Sequence, residues 1–462
     1  MIIDKWMRWL IVGLTSLLIS HSLALRAYSA SIDQCLVEAS PRQHVSLGFP
    51  VPEERIHNEP RPRVLVLPFR LSDTPNFTFT PDMKSSFLDA GKRIEALSDG
   101  KSKIEFVFGN VINLKESVRD LIVLRDNQGR AYQNDESAST FGFVRKVIAE
   151  IDRTTNFEGV DAVFLQGSSN VGATAIAEAM MFRRGWSDNW FRAIETEEGP
   201  ILNAVLTDSP KDVWTIVHEL LHLYGLTDLY GSPTAPTGLS IMAGGTEGLL
   251  NHERWLLGWH SNSSVACQDL SAESAVQREI TRFEIPRSVK SYLHLFKLTE
   301  RGTAMIIETA QRPLGSSNFE YLAFYSLNNE ARPPIDLHAS RLTSRGDGNV
   351  VSIRGEINLD LIATQLEAKD YSLIVSDLTE AAIVLDLVRK DSPNQLSQTL
   401  LAAEARRKER LLAASEASAK VKEIKRAKAS SGNRTITCIK GGKSRTFKGI
   451  NPQCPQGFTL KK

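Results

Sequence analysis

A chain of 462 residues exceeds what one ordinary hydrophobic core organises, so two or three folded units with tails are expected. Its 42% hydrophobic and 24% charged residues are those of a soluble globular protein and exclude a disordered or fibrous one. With 55 Lys and Arg against 54 Asp and Glu, the net charge of +1 gives no reason to expect a nucleic-acid partner for the molecule as a whole.

Residues 1–30 read as a secretory signal. Lys5 and Arg8 make a short basic start and Trp9 to Ile19 an apolar stretch; Ser22-Leu23-Ala24 or Ala27-Tyr28-Ser29 supplies a small-residue cleavage site. The alternative is an uncleaved anchor, but spanning takes about 18 apolar residues and this stretch is shorter. No other stretch is apolar enough to cross a bilayer, so no stable span is expected after cleavage. Export would put Cys35, Cys267, Cys438 and Cys454 in an oxidising compartment. Cys438 and Cys454 are local to one small module and are expected to pair, which leaves Cys35 for Cys267. There is no C-x-x-C spacing, so a cysteine zinc site is not expected. Residues 31–62 are polar and proline-rich and read as a surface lead-in or the remnant of a short pro-segment.

A compact region is expected over 63–270. Val64-Leu65-Val66-Leu67 is a continuous apolar run, as in a buried strand. Thr80-Pro81 opens a helix through Met83, Phe87, Ile94 and Leu97 that closes at Ser98-Asp99-Gly100. A strand at Ile104 to Phe108, a helix near Phe141 to Ile151 and strands at Val160 to Leu165 and Ile201 to Thr207 follow. Strands alternating with helices imply an α/β-layered, α+β domain. The last of these strands would flank the cleft.

That strand feeds the most informative stretch of the chain, Ser209 to Tyr230. Ser209 is a candidate N-cap, Pro210 suits the first helical position, and Asp212 completes a capping box. Val213, Ile216, Val217, Leu220 and Leu223 supply the apolar face, and Gly225 fits the turn past the helix end. On that helix His218 and His222, four apart, share one face and can present two imidazoles to one metal ion. Glu219 lies on the neighbouring side, where it can take a proton from a metal-bound water. A lone histidine is more often structural than ligating, and Glu219 alone could be a solvated helix residue. The extension through Gly225 and Asp228 makes the pattern far more specific than the bare H-E-x-x-H motif. Downstream, Gly238 to Gly245 is a small-residue turn around Met242, the pattern of a Met-turn, whose thioether floors a metal site without coordinating it. Leu249 to Trp259 then reads as a short amphipathic helix ending at Gly258.

Several ordered pieces together resemble the immune inhibitor A group of secreted metallopeptidases. They are Arg63 to Leu67, Leu97-Ser98-Asp99-Gly100-Lys101 with the strand after it, Gly159 to Val163, His218 to Tyr230, Ser240-Ile241-Met242 and Leu256-Leu257-Gly258-Trp259. They span Arg63 to Trp259, less than half the chain. The resemblance implies a metzincin-like zinc endopeptidase with one catalytic ion, His218 and His222 as ligands and Glu219 as general base. Asp228 stands where such motifs place the third ligand; Glu253 or His252 are the other candidates. Lys101 departs from a usually more aromatic run, and Gly172 to Gly199 has no counterpart. The implied reaction is hydrolysis of peptide bonds in protein or peptide substrates outside a bacterial cell. A catalytically inactive surface-binding protein on the same scaffold, or a zinc hydrolase acting on another bond, are the alternatives.

From 271 to 392 the pattern has period two. Ser291–Thr299, Thr303–Thr309, Glu320–Ser326, Asn349–Ile353, Ser372–Ser376 and Ala381–Leu387 are candidate strands of a β-sandwich-like domain. Gly346-Asp347-Gly348-Asn349 is better read as an ordinary turn than a calcium loop, so calcium has no support. Residues 393–432 read as a solvated helical linker without a heptad. In 433–462, Thr435 to Phe447 forms a hairpin on Gly441-Gly442, followed by Cys454, and this resembles the Cys-pair module at the C-terminus of many exported bacterial proteins. Glu404 to Lys462 holds sixteen Lys or Arg against four Asp or Glu, about +12. Such a tail could hold the protein near anionic cell-wall polymers.

Overall fold

The computed structural model describes residues 32–461 apart from 41–44, 75, 119, 121–138, 169–175, 186–190, 209–210, 245–247, 272–279, 290, 300–301, 315–316, 333, 339–349, 353–358, 433 and 450–451. The expected signal (1–30), the Ser209-Pro210 cap and the Gly346 to Asn349 turn lie outside the described residues.

The chain is mixed α/β with several sheets. Strands β1 (Arg63–Arg70), β2 (Glu105–Phe108), β3 (Ile112–Asn113), β4 (Ala162–Gln166), β5 (Ala177–Met181) and β6 (Asn203–Thr207) build the first, in the order β2-β1-β4-β6-β5 with β3 also on β1. All pairs are parallel except β5 with β6. β1, β4 and β6 are buried on both faces, and their side chains alternate between two cores. Val64, Val66, Ala162, Phe164 and Val205 point one way; Leu65, Leu67, Val163, Leu165 and Leu206 point the other. Helix α1 (Pro81–Leu97) packs on the first face and α2 (Thr140–Ile151) on the second. α1 has the expected ends: Thr80 caps its start, Pro81 is its first residue, and Asp99 and Gly100 take positive φ (52° and 78°) just beyond it.

Helices α3 (Val213–Tyr224) and α4 (Asn251–Leu256) lie on the same side as α1. Beyond them stands a second sheet, built from β7 (Val265–Asp269), β9 (Tyr292–Lys297), β10 (Thr303–Leu314), β11 (Ser317–Asn328), β12 (Ile335–Leu337) and β13 (Val350–Ser352). A third sheet contains β8 (Ile280–Pro286), β14 (Gln365–Glu367), β15 (Tyr371–Leu378) and β16 (Ala382–Arg389). The second sheet is sandwiched too. Leu293, Leu295, Ala304, Ile306, Ala323 and Tyr325 join the core around α3, whereas Phe296, Met305, Ile307, Leu322 and Phe324 pack against the third sheet.

This packing changes two expectations. The border at 270 is crossed by one continuous core that runs from the face of β1 through α3 to β9, β10 and β11. Residues 31–62 are not a surface lead-in. Val37, Leu47, Val51 and Ile56 are buried in that same core, and Arg55 is only 3% exposed. Its guanidinium donates to Asn203 Oδ1 (2.7 Å) and to the Phe182 carbonyl (2.5 Å), which makes the burial of a charge tolerable.

Helix α5 (Pro393–Gly432) fills the expected span but is solvated only in part. Leu396, Leu400 and Ala403 pack on the third sheet, and Arg407 and Arg410 pair with Asp360 and Asp377. From Leu411 to Lys425 every residue is exposed. Strands β17 (Arg434–Lys440), β18 (Lys443–Gly449) and β19 (Thr459–Leu460) close the chain as a three-stranded sheet stapled by the expected Cys438–Cys454 disulfide. Cys267 is also disulfide-bonded. The side chain of Cys35 lies outside the described residues, although the turn Ile32–Cys35 lies against β7, which carries Cys267. Among the described residues no helix is long and apolar enough to cross a membrane.

Candidate metal centre

Helix α3 starts and stops on side-chain chemistry that fixes where its histidines sit. Its cap is Asp212, not Ser209: the Asp212 carboxylate accepts from the Trp214 and Thr215 amides (2.8 and 3.1 Å) and from the Thr215 hydroxyl (2.8 Å). Partial burial would raise the Asp212 carboxyl, but those donors outweigh it and hold it below the usual range. At the other end Gly225 takes φ 114°, and the Gly225 and Leu226 amides donate back to the His222 and Leu221 carbonyls. This left-handed turn reverses the chain and brings Leu226 and Asp228 back beside the helix. Only glycine fits: an added Cβ would stand 2.5 Å from Val51 Cγ1 in the N-terminal segment.

The reversal completes a three-residue cluster. Asp228 Oδ1 lies 3.1 Å from His218 Nε2 and 3.2 Å from His222 Nε2, and the ligand atoms of the three residues all lie within 4.8 Å of one another. Each imidazole is fixed from behind. His218 Nδ1 donates to the Ile241 carbonyl (3.1 Å) and His222 Nδ1 to the Leu226 carbonyl (2.8 Å). A carbonyl can only accept, so each Nδ1 carries a hydrogen and each Nε2 is the atom left to face the shared point. Tetrahedral zinc ligands at about 2.0–2.1 Å from the ion lie about 3.3 Å from each other. Asp228 stands at that spacing from each histidine, and with the whole set inside 4.8 Å the three could close on one ion.

The electrostatics couple the three groups to one another and to Glu219. Burial works against charge on His222, but the Asp228 hydrogen bond and charge, with Glu219 nearby, push it up to about 9. Burial would raise Asp228, and the two histidines overcome it and hold the carboxyl far below its ordinary range. Glu219, 6% exposed, goes the other way: burial raises it despite the two histidines. Its carboxylate accepts the amide of Ala179 on β5, the end strand of the first sheet.

Met242 lies where the turn reading puts it. The 3-10 turn Ile241–Ala243 is capped by Ser240, Met242 is fully buried, and the Leu229 amide donates to the Met242 carbonyl (2.9 Å). The turn therefore touches both the His218 ring and the segment carrying Asp228. Glu253 and His252 do not reach the cluster. Glu253 accepts from the Ser240 hydroxyl (2.9 Å) and the Leu250 amide (2.7 Å), and His252 Nε2 from its ring donates to the Leu47 carbonyl (2.8 Å). Next along, the Asn251 amide and the Tyr325 hydroxyl both donate to the buried Glu308 on β10 (3.0 and 2.9 Å). A run of hydrogen bonds thus links His218, the Met242 turn, α4 and the second sheet.

Two features escape a reading of the sequence. The strand beside Glu219 is β5, whereas β6, expected to flank the cleft, is interior and paired on both sides. Tyr230, 53% exposed, stacks near-parallel to the His218 ring at 6.1 Å between centroids. Its place two residues past Asp228 was the available signal. Among the described residues His218, His222 and Asp228 are the group with metal-ligand geometry. No known family model matches the chain, and no curated protein matches it.

Proposed function

We propose that the chain is a secreted zinc-dependent endopeptidase of the immune inhibitor A type. The observation that carries the reading is the meeting of His218 Nε2, His222 Nε2 and Asp228 Oδ1 beside a buried carboxyl raised by its surroundings. A zinc ion held by these three residues would supply an acidified water and a Lewis acid for a carbonyl oxygen. Glu219 handles the protons. A carboxyl raised by burial is suited to accept one from the attacking water and to return it to the departing amine nitrogen. The Ala179 amide orients that carboxylate. β5 has a described partner strand on one side only, so an extended peptide can lie along its outer edge with its scissile bond near Glu219. The disulfide Cys438–Cys454 fits an oxidising compartment and supports the secreted reading.

Metal analysis with a casein assay tests this. Glu219→Ala is expected to retain one zinc per chain and lose hydrolysis by at least about 100-fold, the scale of a lost general base. His218→Ala is expected to lose both. Undiminished casein hydrolysis by Glu219→Ala would sink the mechanism, and a zinc-free wild type would sink the metal centre.

A further inference from the structure

The exposed half of α5 and the module it carries have a charge pattern that the fold does not use. Among the described residues the last contact of α5 with the body that rests on charge is Arg410 with Asp377. From Leu411 to Gly432 the helix continues for about 33 Å at 1.5 Å per residue. Glu423 is the last acidic residue of the chain, and ten Lys or Arg follow it. The module at the end of this stalk therefore contains no Asp or Glu to neutralise its cations.

Their placement is specific. In the β17–β18 ladder Lys440 stands directly opposite Lys443, and Arg445 opposite Cys438, so all three cations share one face of the hairpin. Like charges directly opposite each other destabilise a hairpin. The loop through Cys454 covers the middle of that face, with Phe458 packed 6.4 Å from Phe447 and the Lys440 ammonium 5.7 Å from the Phe458 ring. The three cations are exposed around the rim of this cover. The opposite face carries Thr435, Thr437, Ser444, Thr446 and Lys448, with Ile439 among them. Cations and hydroxyls spread over both faces do not converge on one small anion. They suit a flexible chain of repeated negative charges.

We infer that the C-terminal module is a docking surface for a linear phosphate-bearing polymer of the cell envelope, held out from the body by α5. The disulfide argues for this occupant over nucleic acid, since it belongs to a compartment where envelope polymers are the abundant polyanions. The contact rests on charge and is independent of the metal centre.

The test is retention of the full-length protein on immobilised poly(glycerol phosphate) across a salt series. Wild type is expected to bind at 50 mM salt, as a round working concentration of about one-third physiological ionic strength, and to release steeply as salt rises. Neutralising three cations at about fivefold each predicts a loss of about 100-fold for Lys440→Gln/Lys443→Gln/Arg445→Gln. The charge-preserving Lys440→Arg/Lys443→Arg/Arg445→Lys is expected to bind like wild type. Absence of free thiols and an unchanged metal content identify folded protein. Wild-type retention that ignores salt, or a Gln variant released at the wild-type salt, would overturn the proposal. Tighter binding to duplex DNA or phosphatidylglycerol vesicles of equal charge would overturn the assigned occupant.

Discussion

Single residues set the chemistry of the cluster, and two of them make it testable without substrate. His222 is pushed up to about 9 in the metal-free chain, so at pH 7 it carries a proton that a metal ion must displace. Because the pKa is raised on folding, the stabilisation from the His222–Asp228 pair is fully present below pH 6.5 and is lost as pH rises through about 9. Zinc uptake at pH 7 is therefore expected to release about one proton per ion, and affinity to fall about tenfold per pH unit below that value. Calorimetry in buffers of different ionisation enthalpy checks both. Gly225→Ala should be more damaging than a helix-end substitution usually is. It meets a positive φ and the Val51 methyl together, and a loss of about 2 kcal/mol or more with weakened metal binding is expected in a denaturant titration. The two histidines and the glutamate were legible because a single helix fixes their spacing. Asp228 was legible only as a position, since its approach depends on a turn that closes against Val51 and Arg55 from a distant segment.

At the scale of elements, the helices announced themselves and one strand did not. Thr80-Pro81 and Gly225 mark ends that the fold uses as read, because caps are local chemistry. The α3 cap moved from Ser209 to Asp212, since both residue types cap and the sequence does not rank them. Ala177-Glu178-Ala179-Met180-Met181 has the composition of a helix, and pairing with β6 overrides that preference. The residue whose amide meets Glu219 was therefore invisible in the sequence. The link from β10 to the metal centre was equally hidden. Glu308→Ala would leave the Asn251 amide and Tyr325 hydroxyl buried without an acceptor, a cost of about 1–3 kcal/mol. It is expected to lower the melting temperature by several degrees and to weaken zinc binding in a chelator competition, with Glu308→Gln milder on both. Unchanged zinc affinity would mean that the hydrogen-bond run does not reach His218.

On the scale of the whole molecule, a continuous apolar run told that β1 is buried on both faces, but the period-two pattern beyond 270 did not tell what covers each face of the second sheet. That is why the border at 270 looked natural in the sequence and is bridged in the fold. The core between the second and third sheets carries its own liability. His294 on β9 is fully enclosed, stacked on Phe296 at 4.5 Å and 4.4 Å from Phe283, and neither ring nitrogen has a hydrogen-bond partner among the described residues. Burial pushes it down to about 3. A depressed pKa means stability present above pH 6.5 and lost as pH falls toward 3, about 2 kcal/mol of it by pH 5. His294→Leu should flatten this acid dependence in urea titrations at pH 5 and pH 7. An unchanged difference between the two pH values would place the acid sensitivity elsewhere.

The burial of the N-terminal segment has a consequence for how the molecule comes into being. The core around α3 includes both Val37 and Leu337. A nascent chain emerging from its N-terminus therefore carries β1, α1 and α3 in the open, with apolar faces uncovered, until β9 to β12 have been delivered. The residues of the His218–His222–Asp228 cluster are made before the layer that finishes their support. The cluster then gains its full support late, after most of the polypeptide exists, and a chain interrupted near residue 270 exposes apolar surface in place of a finished core.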